Sequence, residues 1–174
     1  MLATSDQLDT ALVLFVLCVA AIDWRTHRIP NLLCAAAAIV GLASQFWIFG
    51  EDGLLFSLSG AAVGFAMFLP FYVLRAFGAG DVKAMATVGV FLGMQTTTLA
   101  VGMTLIAGAI LGVAALLLNN GQSSAILARL AGLMISPTAS MRASLHDTKT
   151  KSVQRFPYGV AIACGTAVAL IMTR

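Results

Sequence analysis

Charged residues are scarce in this sequence and apolar residues are abundant. Of the 174 residues, 10% are Asp, Glu, Lys or Arg and 60% are hydrophobic, and the mean hydropathy is +0.96. A water-soluble domain carries about a quarter charged residues, so this composition excludes an ordinary soluble fold. At roughly 20 residues per membrane-spanning helix, the length allows about six spans and little else. We therefore predict a single all-α integral membrane domain over residues 1–174.

Three further features are missing, and each excludes a class of protein or site. Residues 1–10 contain no Lys or Arg, so they lack the basic start of a signal peptide and the first apolar run is expected to remain as a span. Cys18, Cys34 and Cys164 form no CxxC pair and no Cys/His cluster; we interpret them as small buried apolar residues rather than as a disulfide or zinc site. The ten basic residues are spread among the loops, which indicates membrane topology rather than nucleic-acid binding.

Six apolar segments are separated by polar or glycine-containing breaks. They comprise residues 8–22, 32–49, 54–74, 82–94, 97–118 and 158–172. The first and fourth are short for a bilayer core of about 30 Å. We expect these two segments to extend into their polar flanks, to tilt, or to lie where the membrane is thinned.

The basic residues fall in alternate connections and so predict the orientation of the spans. Nine of the ten lie on one side: Arg25, Arg28, Arg75, Lys83, Arg129, Arg142, Lys149, Lys151 and Arg155. By the positive-inside rule this side is cytoplasmic, with both termini outside. Residues 119–155 form the one long polar connection, in which residues 125–135 are predicted to be an interfacial helix. The basic residues of this connection either contact anionic membrane lipid or are simply solvated.

Two aspartates stand at the ends of apolar segments, where a carboxylate is costly. Asp23 closes the first segment and Asp81 opens the fourth, so the predicted topology brings both to the cytoplasmic face. An acidic residue next to hydrocarbon is a functional-site hypothesis by default. Two carboxylates that lie close together share one proton, which is the arrangement of a water-activating acid pair.

The segment after the first span, residues 23–31, reads DWRTHRIPN. Pro30 and Asn31 predict the start of the second helix, since Pro is tolerated in a first helical turn and Asn is a good cap. The two arginines of this segment are topogenic, and a surface ion pair with them is the alternative explanation for Asp23. His27 is either an ordinary loop residue or an acid–base group.

The segment before the fourth span, residues 78–83, reads GAGDVK. Gly78 and Gly80 permit close backbone approach and unusual dihedral angles. The alternative is a loop in which Asp81 only caps a helix, because Asp is a preferred N-cap. Lys83 is either an ion-pair partner or an anchor at the membrane interface.

Taken together, these two segments resemble the type IV prepilin peptidases, which are membrane aspartic proteases of the GxGD kind. That family has an Asp and a basic stretch before Ile-Pro-Asn after its first span, matched here by residues 23–31. It has Gly-x-Gly-Asp-Val-Lys before a later span, matched by residues 78–83, and a late span opening with Pro-Tyr-Gly, matched by residues 157–159. The order and spacing agree over nearly the whole chain.

The resemblance implies an aspartic endopeptidase with Asp23 and Asp81 as its catalytic pair and with no metal or organic cofactor. One carboxylate would activate water, and the other, protonated, would hydrogen-bond the scissile carbonyl. The substrates would be prepilins and pilin-like proteins, cut after a short basic leader at the cytoplasmic face of a bacterial inner membrane. Loop and substrate-positioning roles would fall to Gly78, Gly80, Lys83, Arg25, Arg28, Pro30 and Asn31.

Larger members of that family also have a cytoplasmic region with zinc-binding cysteine pairs and methylate the new N-terminus. The sequence has no counterpart of that region, and it looks like the short peptidases of tight-adherence (Flp) pilus systems; the resemblance therefore implies proteolysis but not methyl transfer. Two other interpretations stay open from the residues alone. They are a proton-coupled transporter or channel subunit with the aspartates as an ion relay, and a non-catalytic membrane scaffold. No oligomeric state is predicted.

Overall fold

A computed structural model describes residues 2–74, 76–118 and 158–173. Within these ranges the chain forms four α-helices: α1 (Leu2–Thr26), α2 (Asn31–Val73), α3 (Ala79–Leu118) and α4 (Tyr158–Thr173). The all-α prediction is confirmed. The predicted interfacial helix at 125–135 and the rest of the 119–155 connection lie outside the described residues.

The described helices are those of a membrane protein. Three of them contain stretches long and apolar enough to cross a bilayer: Gln7–Thr26, Asn31–Val73 and Ala79–Ala114. The fourth, α4, is apolar but has 16 residues. Large apolar side chains such as Leu32 and Ile171 are about four-fifths exposed, which suits a surface that faces lipid rather than water.

Helix α2 folds back on itself at Gly50. The backbone there has φ 64° and ψ −139°, outside the helical region, and glycine tolerates a positive φ because it has no Cβ atom. The carbonyl oxygen of Gln45 lies against Gly53, whereas eight residues of continuous helix would span about 12 Å. Helix α2 therefore consists of two arms, residues 31–49 and 51–73.

Helix α3 reverses in the same way at Gly93, where φ is 69° and ψ is 176°. Phe77, just before the helix, packs against the ring of Tyr158. Gly108, far along the same helix, also lies beside that ring. A straight helix would separate positions 77 and 108 by about 45 Å, so α3 also has two arms, residues 79–92 and 94–118.

The predicted break at 50–53 contains the reversal at Gly50 but is too wide, and the predicted break at 95–96 lies two residues beyond the reversal at Gly93. Glu51 and Asp52 were expected between two apolar segments, yet they continue the helix directly after Gly50. Their carboxylates stand in the first turn of the second arm, where the partial positive charge of a helix start stabilises them. Residues 95–96 are likewise helical. Helix α1 extends beyond residues 8–22 at both ends, as expected for a short apolar segment.

The second arm of α2 (51–73) and the first arm of α3 (79–92) approach so closely that only glycine fits where they cross. A Cβ atom on Gly60 would collide with the carbonyl oxygen of Gly89 and lie 2.8 Å from the Cα of Gly93. Small residues at such crossings allow van der Waals contact between backbones, which stabilises helix pairs in lipid without a hydrophobic driving force.

Helices α1 and α4 run antiparallel. At one end of the pair, Asp23 contacts Gly159. At the other end, Asp9 and Val13 of α1 border a shallow depression together with Leu170 and Ile171 of α4. The start of α4 therefore lies beside the last turn of α1.

The described connections between helices gather at one end of the fold. The start of α2 meets the start of α3 through a hydrogen bond between Asn31 and Lys83. The end of α2 meets the same region through ring contacts of Phe71 with Phe77, and Phe77 in turn contacts Tyr158 at the start of α4. The reversals at Gly50 and Gly93 are separated from this end by the lengths of the arms.

Backbone contacts divide the chain into two compact units: Met1–Gly108 with Pro157–Arg174, and Ala109–Phe156. Both aspartates and their described contacts belong to the first unit. A single domain over residues 1–174 stays a prediction.

The three cysteines are free. Cys34 is buried as predicted, but Cys18 and Cys164 are exposed, so the prediction of burial is wrong for these two. Both stand on the outward faces of α1 and α4, where a small apolar thiol is compatible with contact to lipid.

Replacing Gly60 by Ala is expected to destabilise the protein by about 1–3 kcal/mol, because the added methyl group must displace the backbone of the facing arm. Gly102→Ala is the matched control, since no atom lies within 4 Å of a Cβ atom added there. Unfolding of the purified variants in detergent by heat or by SDS measures the difference. Equal stabilities would contradict the packing described between the two arms.

Candidate active site

Asp23 lies in the last turn of α1 and is buried, with 5% of its surface exposed. Its Oδ2 atom accepts a hydrogen bond of 2.7 Å from the backbone N–H of Gly159. Arg25 and Arg28, in contrast, are exposed. A surface ion pair with these arginines therefore does not explain Asp23, because the carboxylate is buried against α4.

Asp81 is the third residue of α3 and is 8% exposed. Its Oδ2 accepts a hydrogen bond of 2.8 Å from the N–H of Gly78, and its own N–H donates to the Gly78 carbonyl oxygen at 3.1 Å. An acidic residue at this third position that bonds back to the residue before the helix is half of a capping box. Asp81 thus does cap its helix, from the third position and not as the N-cap residue expected in the simpler interpretation.

The two aspartates converge on the first two residues of α4. Gly159 donates its N–H to Asp23. The ring of Tyr158 packs on Phe77, with 4.4 Å between centroids, and Phe77 leads directly into the loop that carries Asp81. Asp23 of α1 thus bonds the start of α4, and the loop that carries Asp81, 58 positions further along the sequence, packs through Phe77 against the same turn.

The two sequence motifs also touch each other directly. Ile29 is buried and packs onto Gly80, where a Cβ atom would lie 3.1 Å from the Cβ of Ile29. Lys83 donates a hydrogen bond of 3.0 Å from Nζ to Oδ1 of Asn31. The loop after α1 is thus held against the first turn of α3 by one apolar and one polar contact.

Two local predictions are corrected by this geometry. Helix α2 starts at Asn31 as expected, but Pro30 occupies the N-cap position and no side chain caps the helix; the Asn31 amide binds Lys83 instead. The unusual dihedral angles expected at Gly78 and Gly80 are absent, since the positive φ values among described glycines occur at Gly50 and Gly93. Position 80 needs glycine for the close approach of Ile29, and position 78 contributes its N–H.

His27 terminates α1. It has φ 50°, in the left-handed region, and its N–H donates to the Asp23 carbonyl oxygen at 2.8 Å. His is among the residues that tolerate this conformation best after glycine, Asn and Asp. Its side chain is exposed. The described contacts of His27 are therefore those of a helix end rather than those of an acid–base group.

Four residues contact the aspartates or their loops and were not among the predicted site residues: Ile29, Phe77, Tyr158 and Gly159. The motif at 157–159 carried part of the family resemblance but predicted no contact, since nothing local shows that α4 pairs with α1. Across residues 2–74, 76–118 and 158–173, no group of three His, Cys, Asp or Glu side chains is arranged to hold a metal ion.

The sequence profile of the type IV leader peptidase family matches residues 10–113, which is more than half of the 174 residues. The chain belongs to the type IV leader peptidase family. It is therefore a peptidase of the membrane, and the predicted resemblance is confirmed. Both aspartates lie inside the range that this leader peptidase profile matches, whereas Tyr158 and Gly159 lie beyond it. Comparisons with curated proteins and with solved structures found no match.

Replacing His27 by Gly is expected to leave peptidase activity within about twofold of wild type. Glycine adopts the left-handed conformation without the cost of about 1 kcal/mol or more that a side chain adds, so the end of α1 is preserved. The turnover of any peptide that the wild-type enzyme cleaves measures the effect. His27→Val is the control for the backbone and should lower stability, because a β-branched residue is strongly disfavoured at positive φ. Loss of turnover in a stably folded His27→Gly enzyme would show that the imidazole takes part in the chemistry.

Proposed function

We propose that this leader peptidase removes the short basic leader from prepilins and pilin-like proteins, with Asp23 and Asp81 as its catalytic pair. The observation that carries the proposal is the convergence of two buried carboxylates on the start of α4, within a chain whose family is a peptidase family. An ion relay or a scaffold would not require two acids from separate helices to meet at one end of the bundle.

The chemistry follows from the shared environment of the two carboxylates. One of them, ionised, takes a proton from a water molecule as the water attacks the scissile carbonyl carbon. The other, protonated, donates a hydrogen bond to the carbonyl oxygen as negative charge develops there. The first carboxyl then gives the proton that it took from water to the amide nitrogen as the C–N bond breaks, which releases the amine and a carboxyl product. Neither step needs a metal or an organic cofactor.

The proposed topology has six crossings, with the active site at the cytoplasmic face and both termini outside. The arms of α2 contain 19 and 23 residues, each long enough for a crossing of about 30 Å. Trp24 stands at the site end of the fold and Trp47 near the Gly50 reversal, and both are exposed. Tryptophan is enriched at membrane–water interfaces, so the positions of these two residues support a membrane face at each end of the fold. Arg25, Arg28 and Lys83 lie exposed at the site end, as the positive-inside rule expects for the cytoplasmic side.

This location suits a substrate that is itself a membrane helix with a leader. Water reaches a scissile bond at the membrane edge, while the apolar part of the pilin remains in lipid. We propose the pilins of tight-adherence (Flp) systems as the substrates and a bacterial inner membrane as the location. The exposed basic residues beside the site would repel a basic leader, so we assign them to topology and to lipid headgroups rather than to leader binding.

Asp23→Asn and Asp81→Asn are each expected to abolish cleavage of a co-expressed Flp-type prepilin, with a loss of about 10³-fold or more, because either change removes one half of a mechanism that acts as a unit. The substitutions keep side-chain shape, so both variants should still accumulate in the membrane. The ratio of processed to unprocessed pilin on an immunoblot is the measurement.

Two controls accompany this test. Asp9→Asn changes an aspartate at the other end of α1 and should not alter processing. Joint replacement of Cys18, Cys34 and Cys164 by Ala should also leave processing largely intact, which separates the mechanism from that of a thiol protease. Normal processing by either site variant would refute the aspartate pair.

A further inference from the structure

We propose that Tyr158 and Gly159 are positioning residues of the active site: together they hold the Asp23 carboxylate in register with the loop that carries Asp81. This inference rests on the proposed catalytic pair and names the part of the molecule that sets the pair's geometry. Neither residue lies within the range that the family profile matches. Their role follows from two contacts at the start of α4.

The first contact fixes Asp23. Gly159 is buried, and its N–H lies 2.7 Å from Oδ2 of Asp23. A Cβ atom at position 159 would lie 2.8 Å from the Asp23 Cβ, 3.0 Å from Oδ2 and 3.2 Å from the carbonyl oxygen of Val19. These distances are shorter than ordinary van der Waals contact, so any side chain there displaces the carboxylate or the helix. Glycine is thus needed for the approach that makes the hydrogen bond.

The second contact fixes the loop before α3. The Tyr158 ring occupies a slot between Phe77, at 4.4 Å between centroids, and Gly108, where a Cβ atom would lie 3.1 Å from Cε1 of the ring. Phe77 is itself packed against Phe68 and Phe71, with centroids 5.1 Å and 5.0 Å away. Aromatic pairs at such distances are favourable beyond their buried area. The ring therefore clamps α4 to the segment that leads directly into Gly78 and Asp81.

The two contacts come from adjacent residues, so the distance between the carboxylates depends on where α4 begins. A displacement of Tyr158 or Gly159 moves Asp23 relative to the loop of Asp81 without removing either carboxylate. Misplacement of catalytic groups by about 1 Å can lower turnover by about 100-fold. Because neither substitution removes a carboxylate, we expect kcat to fall and KM to stay near its wild-type value.

The test uses the purified full-length enzyme in detergent and a prepilin, or any peptide that the wild-type enzyme cleaves. Gly159→Ala is expected to lower kcat about 10- to 100-fold with KM within about twofold of wild type. Gly102→Ala is the matched control, because it adds the same methyl group within another helix at a position with no atom within 4 Å. A wild-type kcat in Gly159→Ala overturns the proposal.

A second pair of variants decides the question if Gly159→Ala does not fold. Tyr158→Ala removes the ring contact and should lower kcat about tenfold or more, whereas Tyr158→Phe keeps the ring and should restore kcat to near the wild-type value. A purely structural role would lower the Tm of the enzyme together with its activity, and it would not lower kcat separately from a change in KM. Unchanged kcat in Tyr158→Ala, or a rise in KM alone, overturns the proposal.

If the wild-type enzyme cleaves peptides but not prepilins, the proposed substrate is wrong and the same variants still test this inference. If it cleaves neither, the catalytic pair fails together with the inference.

Discussion

The structure depends on one buried hydrogen bond, from the N–H of Gly159 to the carboxylate of Asp23 at 2.7 Å. A carboxylate among apolar helices is costly unless a donor meets it, and the start of a helix offers N–H groups that have no partner within the helix. This pairing requires the first turn of α4 to lie beside the last turn of α1. It also requires a residue without a side chain at position 159. The antiparallel packing of these two helices and the exclusion of other residues at position 159 both follow from it.

The remaining helices bring the second carboxylate to the same place. Because α2 and α3 each reverse at a glycine with positive φ, both helices begin, and α2 ends, at the end of the bundle where Asp23 lies. Asp81 then meets α4 through Phe77 and Tyr158. The proposed cleavage of membrane-anchored proteins would need the acids at such an end, because water is scarce in the hydrocarbon core. The fold thus gathers the segments that carry both carboxylates at one end of the bundle.

Sequence reasoning was sufficient where the physical signal is local. The cost of an acid beside hydrocarbon singled out Asp23 and Asp81, and apolar runs located the helices and, approximately, both reversals. It was insufficient where a contact joins distant positions: Asp23 and Gly159 are 136 positions apart, and no local pattern predicts their pairing. Asn31 was expected to cap a helix because the Asn side chain favours that role. In the structure its amide oxygen instead accepts a hydrogen bond from the charged Lys83 ammonium. The break at Gly50 was predicted too wide and the break at Gly93 two residues too late, because the polar residues after each glycine continue the helix.

If Asp23 and Asp81 belong to one site, cysteines placed at these two positions can be cross-linked within one molecule. Cysteines would be introduced at both positions after Cys18, Cys34 and Cys164 have been replaced by Ala, and the membrane-embedded protein treated with a short bis-maleimide reagent. The control pair places cysteines at positions 9 and 81, since position 9 lies about 21 Å along α1 from position 23. Mass spectrometry of digested protein should detect the linked peptides for the 23/81 pair and not for the control. Absence of the 23/81 link, with both thiols shown to react singly, would contradict the account.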